Sequence, residues 1–376
     1  MKRLPLVGLL LAPALVLIST SAGAVRPHAT KEKVVAKPVL SLAMDGARVA
    51  YMRGDRRVAV WDVSTGATSV VKGAYPSNGR RFGVGRGEVA IAGKRVALIT
   101  RFGTGNSQQT QERLYAAKLG EPARQLGKLT NHRTNPLDGE SDGGLSYGNW
   151  LAGVVGSGNT LAVSSWKSNQ SVTSKEKLSL VTPTGLRTIA AGAGSLVAGA
   201  ADSGHIAVFR STLAWPAEDV RPATTAPSVG IYSSGGTLLN EVPLDSSAVG
   251  IALSGDELVV LTETIPQPGS LTTTLQVYDW KTGALVNTWP VAVGHVPPLD
   301  RIAVYGQLAA VEGSSTLHLV DLQTGKDDAF GPSSRNGCPP ALGPRGLVYA
   351  LNPSYKGRAK LVFVPMAKVR AAVAAG

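Results

Sequence analysis

Between Ala47 and Asn352 the chain states one phrase seven times: a short strand of small apolar residues, a turn carrying Gly or Asp, and a hydrophobic strand of the form x-h-Ala/Val-h. The second strands of the phrase align on Ala50, Ala97, Ala162, Ala207, Val259, Ala309 and Val348, at successive spacings of 47, 65, 45, 52, 50 and 39 residues. One such unit cannot bury its apolar faces alone, and a period of roughly 40 to 50 residues is that of four-stranded units stacked around an axis. The chain is therefore expected to be all-β: a seven-bladed β-propeller of four-stranded antiparallel blades, forming a single domain over 37–376.

The strands inside each unit differ in kind. First strands such as 88–93 and 195–201 are rich in Ala, Gly and Val, which suits the crowded innermost position of a ring. Third strands, such as 58–63, 275–280 and 317–322, alternate with period 2, the mark of strands whose two faces are covered unequally. No helical pattern follows residue 24. The strand that closes the ring is left between two options, Val34 with Val35 or the segment 367–373.

The turn into the fourth strand carries the most specific local signal. Asp62-x-x-Thr65-Gly66, Asp279-x-x-Thr282-Gly283 and Asp321-x-x-Thr324-Gly325 share D-x-x-T-G. Asp can accept from the backbone N–H groups that follow it, Thr reinforces the turn, and Gly supplies a left-handed residue. These aspartates are read as punctuation of a hairpin. With the residues before them they resemble the third-strand signature of the WD40-like, YVTN and quinoprotein-type propeller repeats. That resemblance covers nearly all of the chain after the leader and implies the propeller fold. It departs from the quinoprotein dehydrogenases, which resemble eight-bladed rings: Val70, Asn287 and Ala329 stand where their docking tryptophan would follow the glycine, and Trp289 comes two residues late. No cofactor is expected.

Lys2 and Arg3, the apolar run 4–18 and the ending Ala22-Gly23-Ala24 compose a signal peptide over 1–24, followed by a lead-in over 25–36. The expected protein is secreted, with no transmembrane segment once the leader is cut. The whole chain has 38 basic and 25 acidic residues, a net charge of +13; losing Lys2 and Arg3 leaves +11. Such an excess favours anionic partners. No basic run is interleaved with aromatics as base stacking requires, so nucleic acid is not an expected partner. Cys338 is the one cysteine, which rules out an internal disulfide.

Candidate chemistry is sparse. His28, His132, His205, His295 and His318 show no metal-ligand spacing, and no G-x-S-x-G elbow nominates a nucleophile. Asp138, Glu140 and Asp142 alternate before Gly143 as calcium ligands do, but Asn149 stands where a bidentate Glu would close the loop, so a solvated loop is the expectation. The glycines of 82–87 precede no helix and are read as a turn.

Loop length carries more. Connections joining second to third strands, and one blade to the next, leave a propeller on one face. The long insertions 101–112, 130–147, 167–176, 211–228 and 264–274 all fall in that class. With 75–82, 331–338 and 352–360, and with 167–176 carried on to 177, they hold 12 basic and 7 acidic residues. Long loops grouped on one side of a rigid scaffold mark the functional face. Arg133, Trp215, Arg221, Lys356 and Arg358 are its candidate binding residues. The expected function is non-enzymatic binding, by a monomer, of a protein or an anionic cell-envelope component. Two other readings remain open: an extracellular lyase or hydrolase acting on a polymer at the channel mouth, and a sensory or scaffold ectodomain anchored by a retained leader.

Overall fold

A computed structural model of the chain describes residues 31–73, 88–103, 109–133, 146–169, 172–192, 195–211, 227–245, 248–267, 270–293, 302–313, 315–334, 338–352 and 357–375. They form seven antiparallel four-stranded sheets in a ring, a seven-bladed β-propeller. Blade 1 runs from the innermost strand Val39–Asp45 to the outermost strand Thr68–Val70. The first strands of blades 2 to 7 are Glu88–Ala92, Ser146–Ser157, Ser195–Asp202, Ala248–Ser254, Ile302–Tyr305 and Ala341–Gly343.

The ring is closed by the N-terminal side of the chain. Lys31–Val35 pairs antiparallel with Ala359–Pro365, in a register running from Lys31↔Phe363 to Val35↔Ala359. Blade 7 thus takes its fourth strand from a segment that the sequence reading had placed in the lead-in. The other closure option is corrected, and so is the expectation of no helix after residue 24: Met366–Ala375 is an α-helix. Its Ala-rich sequence has high helix propensity, and with the strand position already filled it turns Val369, Ala372 and Val373 inward at i, i+3 and i+4 against blades 6 and 7.

Each pair of neighbouring blades encloses its own buried apolar cluster, seven in all. Alternate residues of one strand serve opposite seams. Val96 and Leu98 pack toward blade 1, while Ala97 and Ile99 pack toward blade 3. This explains why the second strands read as almost continuous apolar runs. Fully buried residues such as Ile206, Leu258 and Leu261 contribute about 1.5–3 kcal/mol each. On the innermost strands the small residues make room: a Cβ on Gly199 would overlap Ile251 of the next blade, and one on Gly250 would touch Ile302.

The two ends of the ring are built differently. At the turn face, the first-to-second turns of successive blades are laced around the channel. Asp45 accepts from the N–H of Gly93 in blade 2 and of Gly158 in blade 3, Asp202 from Gly255, and Ser254 from Gly306. Further out, donors on one blade cap a carbonyl beside the hairpin turn of the next: Lys31 on Val63, Arg187 on Ser234, Asn240 on Trp280, and Asn287 with Trp289 on Leu322. Trp289 therefore does dock across blades, although it lies two residues beyond the expected position. Its indole rests against Gly325.

Candidate functional site

The hairpin aspartates take the role read from their spacing. Asp62 Oδ1 accepts from the N–H groups of Ser64 and Thr65 at 2.9 and 3.1 Å, Asp279 Oδ1 from Lys281 and Thr282 at 2.9 and 3.2 Å, and Asp321 Oδ1 from Gln323 and Thr324 at 2.8 and 3.0 Å. The glycines adopt φ of 79, 75 and 73° and donate back to the aspartate carbonyls. The Ser64 hydroxyl, with these amides, holds the Asp62 carboxyl below its ordinary range. In each of these carboxylates one oxygen, Oδ1, is committed to the turn.

The opposite face receives the second-to-third connections and the blade-to-blade connections. Several segments expected as loops are strands here. Arg95–Gly103 and Gln109–Lys118 carry the blade 2 hairpin beyond the core, as do Thr160–Asn169 with Val172–Val181 in blade 3 and Glu257–Gln267 with Ser270–Asp279 in blade 5. The insertion 130–147 is likewise flanked by paired strands: Arg133 pairs with Ser146, His132 with Tyr147 and Asn131 with Gly148, which joins blades 2 and 3 into one eight-stranded sheet. Apolar alternation stops where seam packing stops, whereas ladder hydrogen bonds between polar, Thr-rich segments such as 271–274 continue. Blades 2, 3 and 5 thus raise hairpins around the loop face.

Beneath that face lies a polar frame spanning three blades. The Asn352 side chain accepts from Val39 N–H at 2.9 Å and donates to Val39 O at 2.8 Å and to Ser334 Oγ at 2.7 Å. Ser334 N–H donates to Glu312 at 2.8 Å. All of these side chains are buried. Glu312, Ser334 and Cys338 line a narrow cleft between blades 6 and 7 that has no room for a water molecule. These bonds tie the loop ends of blades 6, 7 and 1 to one another.

The seam of blades 7 and 1 carries one group of basic residues on this face. Arg53, Arg56 and Arg57 lie on the turn between the second and third strands of blade 1, and Gly54 N–H of that turn donates to Pro38 O at 2.7 Å. The pairing of Val35 with Ala359 sets Arg358 beside 36–37, so Lys37 and the exposed Arg358 share the seam. Arg53 bridges Asp55 at 2.5 Å and Arg57 approaches it at 3.9 Å. Among the other sequence candidates, Arg133 ends the outermost strand of blade 2. Trp215, Arg221, Lys356, Asp138, Glu140 and Asp142 lie outside the described residues, as does the glycine-rich 82–87. The sequence reading missed the charges of 53–57, which sit in a short turn, and the pairing of His318 with Asp327 at 2.8 Å, which forms across a hairpin. Among the described residues no three His, Cys, Asp or Glu side chains come together as a metal site, and no helix is long and apolar enough to cross a membrane.

Fold and site together define a seven-bladed β-propeller with a turn-sealed face and a face of extended hairpins and connections. No family model matches the chain, and no curated protein does. Among solved structures it is similar to the computationally designed Ika8 protein at 11% identity, over 88% of this chain and 98% of that one, with a TM-score of 0.42.

Proposed function

We propose that the chain is an exported, non-enzymatic binding protein that engages a protein or cell-envelope ligand through its loop-rich face, and that its repeats belong with the WD40-like, YVTN and quinoprotein-type propellers. One observation carries this reading: the long connections leave by a single end of the ring. The other end is spent on tight turns laced blade to blade, whose carboxylates already hold backbone amides. A rigid ring presenting variable connections is a scaffold on which binding residues can change without disturbing the core. The leader at 1–24 supports export, and the excess of basic residues supports an anionic or acidic partner.

Capture of a partner from a cell-envelope fraction by the purified chain tests the reading. Trp215→Ala with Arg221→Ala is expected to reduce capture at least tenfold with an unchanged melting temperature, while Lys94→Ala with Arg345→Ala on the turn face leaves it intact. Capture that survives the first pair and fails with the second, in folded protein, would overturn the face assignment. Export is read from the mature N-terminus, expected at Val25; intact Met1 in the membrane fraction would instead favour an anchored ectodomain.

A further inference from the structure

We propose that the outer edge of blade 5 is a dimer contact, on which the strand Ala284–Val291 pairs antiparallel with the same strand of a second copy of this chain. The contact lies on the circumference of the ring and leaves the loop end of each copy free, so it is independent of binding at that end.

In blade 2 the outermost strand, Arg124–Arg133, runs on into pairing with blade 3. The other six outermost strands end their sheets, and each presents a row of backbone N–H and C=O groups at its outer edge. Shortness and charge are what keep such edges from pairing with another chain. Thr68–Val70 is three residues long. Four of the strands carry charge, from Arg187 in Leu186–Gly192 and Glu241 in Leu238–Pro243 to the paired aspartates of Asp327–Pro332 and the Lys-Glu-Lys of Lys31–Val35. Ala284–Val291 has eight residues and no charge. A strand laid antiparallel against its own copy meets itself about a two-fold axis, where like charges placed opposite one another are destabilising. Of the outer strands longer than three residues that end a sheet, this one alone brings no charge to such an axis. Pro290 has no N–H and sets the loop-side limit of the pairing, which leaves 284–289 for the ladder.

The side chains of this edge point the same way. In blades 3 to 6 a register shift inserts one extra residue in the outermost strand, and each time it is apolar: Ile189, Leu239, Val286 and Phe330. Ile189 lies against Gly236 of blade 4, and Phe330 is buried. Val286 is 56% exposed, and Leu285 before it is 48% exposed. Asn240 Nδ2 of blade 4 donates to Trp280 O and Lys281 O at 2.6 and 3.1 Å, which fixes the strand Leu238–Pro243, with its exposed Leu238 and Leu239, against the hairpin turn of blade 5. Exposed apolar side chains on two adjoining blades thus accompany an uncharged edge, and a second copy set on that edge removes apolar surface from water while it completes the ladder.

The test is the mass of the mature chain in solution, followed by sedimentation equilibrium over a wide range of protein concentration. Wild type is expected to pass reversibly from monomer to dimer and to stop there, since a two-fold contact is closed. Val286→Lys with Thr288→Lys, both at exposed positions, sets like charges across the axis. The pair should raise the dissociation constant at least tenfold and leave the melting temperature of the dilute protein unchanged. Val70→Lys on the edge of blade 1, where the side chain is 55% exposed, should leave the constant within threefold. Hydrogen exchange of the wild type, dilute against concentrated, reads the same contact without a substitution: protection should grow in 284–289 and stay level in 186–192 and 327–332. A chain that is monomeric at every concentration, a dimer that survives the paired lysines or is weakened equally by Val70→Lys, masses growing beyond the dimer, or protection that falls on another outer strand would each overturn the proposal.

Discussion

At the scale of single residues, the hairpin glycines have unequal tasks. Gly66 has φ 79° and nothing within 4 Å of where a Cβ would sit, so Gly66→Ala is expected to cost about 1 kcal/mol from backbone strain alone. Gly325 has nearly the same φ, 73°, but its Cβ would run into the Trp289 indole, and Gly325→Ala should cost a further ~1–3 kcal/mol. Urea titrations check the difference, and Trp289→Ala should recover part of the second penalty in the double variant; equal costs at both glycines would contradict the docking. Tyrosines report on the seams by pH. Burial raises the hydroxyl pKa of Tyr51, Tyr232, Tyr278 and Tyr349. A group whose folded value is raised contributes stability that is complete below its unfolded value, near pH 10, and is lost as pH rises through the folded value. The urea midpoint should therefore fall between pH 9 and 11, and less steeply in Tyr51→Phe; an unchanged slope in that variant would contradict the assignment. The aspartate turns were legible in the sequence because their bonds span two or three residues. Trp289 on Leu322 and His318 on Asp327 were not, because those contacts exist only once strands and blades have been laid side by side.

At the scale of elements, legibility followed packing. The innermost, second and third strands could be read because seams bury them on alternating faces, and that burial writes itself into composition. Fourth strands are edges with exposed positions such as Val70, Leu238 and Val286, and their pattern is weaker. The raised hairpins of blades 2, 3 and 5 were mistaken for loops for a related reason: beyond the core they are held by ladder hydrogen bonds that impose no hydrophobic period. Closure was ambiguous because Lys31–Val35 and Met366–Ala375 are both short segments with small or branched residues, and only the ring decides which is paired. Deletion of 31–35 removes the fourth strand of blade 7, the cap on Val63 and Val35 from the blade 7 to blade 1 cluster. It should lower the melting temperature by well over 10 °C or prevent folding. Deletion of 367–375 strips only one helical face and should be milder. A larger loss from the helix deletion than from the strand deletion would show that the helix, and not the strand pairing, secures the ring.

At the scale of the molecule, seven nearly equivalent seams make a body whose stability is distributed and whose two ends are free to specialise. The turn end is consumed by lacing: Asp45, Asp202 and Ser254 each hold an amide of a following blade, and the outer donors cap the hairpin carbonyls. The loop end keeps its connections long, over a buried frame of Glu312, Ser334 and Asn352. The central claim is that binding happens at that end. Amide hydrogen exchange of the mature chain, with and without the cell-envelope fraction that it captures, tests this most directly. The account predicts added protection in the connections between second and third strands and between blades, with the first-to-second and third-to-fourth turns unchanged. Protection centred on the turns at Asp45, Asp202, Asp279 and Asp321, with the loop end unaltered, would contradict it.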